Sequence, residues 1–197
     1  MALAKSCRTA DARGFSLLEV LVATTILTVG VLSVAQLFAL SVRSNMSSKY
    51  TSFTAVLAEQ KMEQLRSLTY GFDTLGLPLT DLTTDTTAVP ETPTGGTGLS
   101  PSPANSLKAN TGGYVEFLDG AGKIISSNGT TTAPANTVYT RRWSIQPLPT
   151  NPNNTIVIQV LVTARKNRGT ADTASDPAGI RLPDETRIIS VKTRKAT

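Results

Sequence analysis

A 28-residue stretch from Phe15 to Val42 contains a single charged side chain, Glu19, and no proline. That length exceeds the ~20 apolar residues a helix needs to cross a bilayer core. Backbone groups in lipid must be satisfied within the segment, so a helix is the form such a run can take there. Lys5, Arg8 and Arg13 precede it, with Asp11 as the one acid among them. This bias holds the N-terminus in the cytoplasm, and Arg43 and Lys49 on the far side moderate it. The run is too long for the ~7–15-residue apolar region of an ordinary secretory signal, and no Ala-x-Ala site ends it. A plain signal anchor meets the length but gives no reason for Glu19. A carboxylate inside a bilayer helix costs ~2.5–3.5 kcal/mol on insertion scales and marks a functional position.

Proline is absent as far as Ser67, and helix-forming residues dominate after Asn45. Met46, Tyr50, Phe53, Leu57, Met62, Leu65 and Leu68 recur at spacings of three to five and leave a drifting apolar stripe. Lys49, Glu59, Lys61, Glu63 and Arg66 are expected on the opposite, solvated surface. The reading is one helix of about 50 residues, with a hydrophobic anchor at 15–43 and an amphipathic half at 44–68. Gly30 is its one weak point, and glycine is common in membrane helices.

Residues 69–113 are rich in Thr, Pro and Gly and are expected as a long surface loop. Gly95 and Gly98 do not make a phosphate loop, because no strand precedes them and no Lys-Ser/Thr follows. Strand patterns begin at Tyr114. Residues 114–118 and 123–126 flank Asp119-Gly120-Ala121-Gly122 as a hairpin, and Tyr139, Arg141, Trp143 and Ile145 alternate on one face of the next strand. Ile156, Ile158, Val160 and Val162 share a face of the strongest strand, and 187–193 offers a last one. Residues 114–197 therefore read as a small antiparallel sheet covered by the helix stripe, an α+β fold. Trp143 is expected in the sheet core, and Arg141 and Arg142 on opposite faces.

Histidine is absent, which removes the usual general base and the commonest metal ligand together. Neither a paired nucleophile and base nor a metal cluster is present in the sequence, so no enzyme and no cofactor is expected. Net charge is +5, of which the residues before Phe15 account for +2. The basic tail from Arg165 to Lys195 offers phosphate contacts to a nucleic acid, but it lacks the aromatic interleaving of single-strand binding.

The run Gly14-Phe15-Ser16-Leu17-Leu18-Glu19-Val20-Leu21-Val22-Ala23 closely resembles the type IV prepilin signature. The resemblance implies a type IV pilin-like fold and a basic leader at 1–14. It also implies cleavage after Gly14 by a prepilin peptidase that acts as methyltransferase on Phe15, and a role for Glu19 in subunit assembly. The segment Ala55-Val56-Leu57-Ala58-Glu59-Gln60-Lys61-Met62-Glu63-Gln64-Leu65-Arg66 is similar to the helix end of PilV-like minor pilins and of the I-type pseudopilins of type II secretion. The implied partners are other pilins or pseudopilins and the inner membrane. The chain would be single-pass there, with its head periplasmic, before joining a pilus or pseudopilus. Minor pilin, type II secretion pseudopilin and competence (DNA-uptake) pilin are the functions in view. Cys7, the one cysteine, falls in the leader, so the mature chain would lack the disulfide-bounded loop common in major pilins.

Overall fold

The computed structural model describes residues 14–126, 129–164 and 185–195. Most of the leader, and Arg165, Lys166, Arg168 and Arg181 of the basic tail, lie outside the described residues. The expected α+β class is what the chain adopts, with a helix α1 (Leu17–Ser67) and six strands. These are β1 (Tyr70–Phe72), β2 (Pro78–Thr80), β3 (Val115–Leu118), β4 (Tyr139–Pro147), β5 (Thr155–Ala164) and β6 (Glu185–Thr193). The chain divides into two compact units, Met1–Asn45 and Met46–Thr197.

In the first unit every described residue is exposed, and an 18-residue window of α1 has a mean hydropathy of 2.2. Four of its hydroxyls are satisfied within the helix. Thr24 and Thr25 donate to the Leu21 carbonyl at 3.0 and 3.1 Å, Thr28 to Thr25 at 2.8 Å and Ser33 to Val29 at 2.8 Å. A helix that satisfies its own polar side chains in this way is suited to an apolar surround. It is also long and apolar enough to cross a membrane.

The second unit is built on an antiparallel sheet of order β3-β4-β5-β6. The apolar stripe of α1 covers one face, where Leu57, Ala58, Met62 and Leu65 join Trp143, Ile145, Ile158, Val160 and Val162 in one buried cluster. Phe53 and Tyr50 extend it, their rings 5.3 and 6.3 Å from Tyr139. Trp143 is fully buried, as its place in an alternating strand implied. Arg142 takes the opposite face, donating through Nε and Nη2 to Asn110 Oδ1 at 2.9 and 2.6 Å.

Two expectations change. Residues 69–113 hold β1 and β2, paired Tyr70↔Thr80 to Phe72↔Pro78, so part of the Thr/Pro/Gly-rich stretch is ordered as a ribbon. The hairpin after β3 is truncated. Its turn forms, with Gly122 N–H donating to the Asp119 carbonyl at 3.1 Å, but among the described residues the returning arm is a single bridge, Leu118↔Ile124, with Ile125 N–H donating to the Phe117 carbonyl at 2.9 Å, and no strand. One residue beyond Ile125, the Ser126 hydroxyl accepts the Phe117 N–H at 3.1 Å in place of a main-chain carbonyl, which ends the ladder. Because β3 is short, Tyr114 and Ser102 complete the edge of β4. Trp143 N–H reaches the Tyr114 carbonyl at 3.1 Å, while Ser102 N–H donates to the Ile145 carbonyl at 2.9 Å and its Oγ accepts the Ile145 N–H at 3.1 Å. Buried main-chain groups are thus satisfied by loop residues where a strand is missing.

The 119–122 turn sits directly on the helix. Gly122 has φ +81°, and a Cβ built there would meet Leu57 Cδ2 at 2.9 Å and Phe53 Cζ at 3.3 Å. Gly122→Ala is predicted to destabilise the head by about 1–2 kcal/mol, the left-handed penalty for an L-residue. Urea denaturation of the detergent-solubilised chain, followed by Trp143 fluorescence, measures this, and an unchanged midpoint would refute it.

Candidate functional site

The predicted processing residues stand at the start of α1. Gly14, Phe15 and Ser16 precede the helix, and the Ser16 carbonyl accepts the N–H groups of Glu19 and Val20 at 3.0 and 3.2 Å. The helix therefore begins at Leu17, two residues past the predicted scissile bond, and that bond lies in non-helical backbone. Phe15 is 82% exposed. Glu19 occupies the first turn, where the partial positive charge of the helix N-terminus favours a carboxylate. Its side chain is exposed and makes no ion pair among the described residues. The geometry thus places one acid in the first turn of an exposed apolar helix, directly after three residues of non-helical backbone.

The head contains a second charged constellation, and here an expectation is overturned. Lys61, expected on the solvated face of α1, is fully buried. Its Nζ donates to Glu116 Oε1 at 2.5 Å, to the Thr86 carbonyl at 2.8 Å and to Thr86 Oγ1 at 3.0 Å. The ammonium also stands 4.0 Å from the centroid of the Trp143 ring. Arg141 reaches the other carboxylate oxygen, Glu116 Oε2, through Nη2 at 2.5 Å and Nε at 2.7 Å. Its Nη1 donates to the Leu57 carbonyl at 3.0 Å. Three elements converge: α1 supplies Lys61, and β3 and β4 supply Glu116 and Arg141, which face each other as register partners.

Two cations share one carboxylate, so the cluster carries a net positive charge in the core. Burial pulls the Lys61 amine down to about 8, Glu116 opposes that shift, and Arg141 adds to it. The sequence did hold a signal for this site. Lys61 is four residues from both Leu57 and Leu65 and so lies on the apolar stripe, while Arg141 alternates with Tyr139 and Trp143. A charge on a buried face calls for a buried counter-charge.

The basic tail is partly consumed by the fold. Lys192 Nζ donates to the Arg66 carbonyl at 2.7 Å and to the Leu68 carbonyl, capping the C-terminal end of α1. Arg194 donates to the carbonyls of Asn153, Gly71 and Leu79 and lies 4.2 Å from the Tyr70 ring centroid. These two cations hold main chain together, which takes them from the set available to a phosphate backbone.

Comparison with protein families matches residues 10–35 to the prokaryotic N-terminal methylation motif. No curated protein and no solved structure matches the chain. The matched segment contains Gly14, Phe15 and Glu19 and runs into the exposed apolar part of α1. Over residues 10–35, and there alone, the chain is thus similar to a known family model, that of the prokaryotic N-terminal methylation motif.

Proposed function

We propose that the chain is a PilV-like minor pilin, cleaved between Gly14 and Phe15, methylated on Phe15 by the same enzyme, and assembled into a pilus-type filament or its priming complex. The observation that supports this reading is the coincidence of the methylation motif with an apolar, uncovered helix bearing one acid near its start. Before assembly, 15–43 anchors the chain in the inner membrane with its N-terminus in the cytoplasm. Cleavage exposes an ammonium at Phe15. Once subunits leave the lipid, that ammonium and a carboxylate five positions into the run both lie in apolar surroundings. Pairing Glu19 of one subunit with the Phe15 ammonium of the next offsets part of both desolvation costs. The loss of Cys7 with the leader supports a minor over a major subunit. The engagement of Lys192 and Arg194 within the head weighs against a competence pilin that binds DNA through this tail.

Glu19→Ala separates assembly from processing. The variant is expected to reach its mature N-terminus normally and yet to be depleted from purified filaments. Mass spectrometry of the N-terminal peptide and immunoblotting of sheared pili measure the two quantities. Normal incorporation of the variant would refute the pairing argument.

A further inference from the structure

A cleft of about 640 Å³ opens in the head between α1, the 123–126 arm and the loop from Asp85 to Val89. Arg141, only 3% exposed, is part of its wall. A guanidinium carries five N–H donors. Nε and one Nη2 hydrogen go to Glu116 Oε2, and Nη1 serves the Leu57 carbonyl at 3.0 Å and Gln60 Oε1 at 3.4 Å. The fifth hydrogen, on Nη2, has no partner among the described residues, and an unmet donor on a buried cation is costly. Three more donors line the same space. Ser126 Oγ accepts the Phe117 N–H, and its own hydrogen has no acceptor among the described residues. Gln60 brings its Nε2 amide and Lys123 an exposed ammonium. Asp85 is the one acid in the wall, and its Oδ1 is already taken by the Thr87 N–H and hydroxyl at 2.8 and 2.7 Å.

We propose that this cleft binds a carboxylate carried on a short aliphatic chain, with Arg141 and Ser126 donating to its oxygens. The sign of the ligand follows from the charges. Among the described residues, the ion pairs of Lys61 and Arg141 both end on Glu116, so one carboxylate serves two buried cations. Lys123 adds a third cation at the wall, against Asp85 there and Glu91 in the adjoining recess. A bound carboxylate supplies the missing counter-charge and takes the idle Nη2 hydrogen, a pairing for which the planar guanidinium is shaped. A phosphate dianion would overshoot the single excess charge beside Asp85. The aliphatic part is specified by the other wall, where Val89 is 82% exposed and Ile124 is half-buried. A concave space with apolar walls and a few convergent donors is the usual form of a small-ligand site. Gln60, whose Oε1 already stands 3.4 Å from Arg141 Nη1, marks how near a tethered carboxylate could come.

The test uses the full chain in detergent, with detergent alone as the blank, and reads binding by saturation-transfer NMR. Four probes are titrated: pentanoate, its neutral isostere pentanamide, N-acetylglutamate α-amide and N-acetylglutamine α-amide. Both acids are expected to bind, and each amide to bind at least tenfold more weakly, because a charge-assisted pair becomes a neutral one. A glutamate probe tenfold tighter than pentanoate assigns the carboxylate to a polypeptide, and equal or weaker binding assigns it to a small free acid; either sustains the site. Gln60→Glu sets a carboxylate of the chain beside Arg141. It should weaken both acids at least tenfold and raise the urea midpoint of the head, since it fills the same vacancy from within. Lys123→Gln, at an exposed position, should weaken them about threefold, as befits a solvent-screened charge. Amides that bind as tightly as the acids, no transfer from either acid at tens of millimolar, or affinity unchanged by Gln60→Glu overturns the proposal. Should Gln60→Glu fail to fold, the acid–amide comparison on the unmodified chain still decides it.

Discussion

Replacing Glu116 by glutamine is expected to lower the stability of the head by about 3–5 kcal/mol at neutral pH, the cost of removing one partner from a buried ion cluster. Glutamine has nearly the volume of glutamate, so packing is preserved and the electrostatic loss stands alone. What remains is Lys61 and Arg141, both buried, with no carboxylate between them. Lys61 has an escape that Arg141 lacks, since it can shed its proton. Glu116 raises the proton affinity of Lys61, and removing it drives the folded-state amine further below its ordinary value. At low pH the amine is protonated in both proteins, and the deficit is greatest. As pH rises, the variant loses its proton first and the original chain follows at about 8, so the deficit narrows across that interval. Lys61→Met should cost much less, because it leaves the Glu116–Arg141 pair neutral. Urea titrations at pH 6 and pH 9, read by Trp143 fluorescence, give both numbers. A Glu116→Gln deficit below about 1 kcal/mol at pH 6 would place it in the range of exposed pairs and sink the argument.

The same cluster shows where a sequence stops being legible. Period-3.6 spacing of Leu57, Met62 and Leu65, and period-2 alternation of Ile156, Ile158, Val160 and Val162, are sufficient to give the helix, the main strands and the faces that meet. Trp143 follows from its place among Tyr139 and Ile145. These residues are readable because burial of each depends on its own apolar surface. Lys61 is not readable in that way. Its burial depends on Glu116 and Arg141, which are 55 and 80 residues away in sequence and adjacent only after β3 and β4 pair. The truncated hairpin is hidden for a related reason. Whether Lys123 to Ser126 continues as a strand is decided by the Ser126 hydroxyl taking the Phe117 N–H, a competition between side chain and ladder that alternation does not encode. The processing segment is the opposite case. Its residues are contiguous and the features that matter are length, apolarity and one charge, so the sequence carries nearly all of it.

Gly14→Leu is expected to leave essentially all of the chain with its leader attached. Nothing among the described residues asks for glycine at this position. A Cβ built on Gly14 meets no atom within 4 Å, and its φ lies outside the left-handed range that favours glycine. A leucine there should therefore fold and insert as well as the original residue, and any defect must arise in the enzyme that reads the site. A peptidase that cuts beside glycine can bring its catalytic groups against bare backbone. A side chain at the scissile bond holds that backbone away, and a displacement of ~1 Å at reacting atoms costs on the order of a hundredfold in rate. The consequences then propagate along the proposed mechanism. Phe15 keeps an amide nitrogen in place of an ammonium, it has no free amine to methylate, and Lys5, Arg8 and Arg13 stay fixed to the end of the helix. Glu19 loses its cationic partner in the neighbouring subunit, so the variant should be absent from filaments although its own carboxylate is intact. Glu19→Ala and Gly14→Leu thus converge on the same assembly defect from opposite ends of one ion pair, and only the second should retain residues 1–14. Intact-mass measurement of membrane-extracted protein separates them. A methylated N-terminus at Phe15 in Gly14→Leu would show that cleavage does not depend on this glycine, and would remove the basis for placing the scissile bond here.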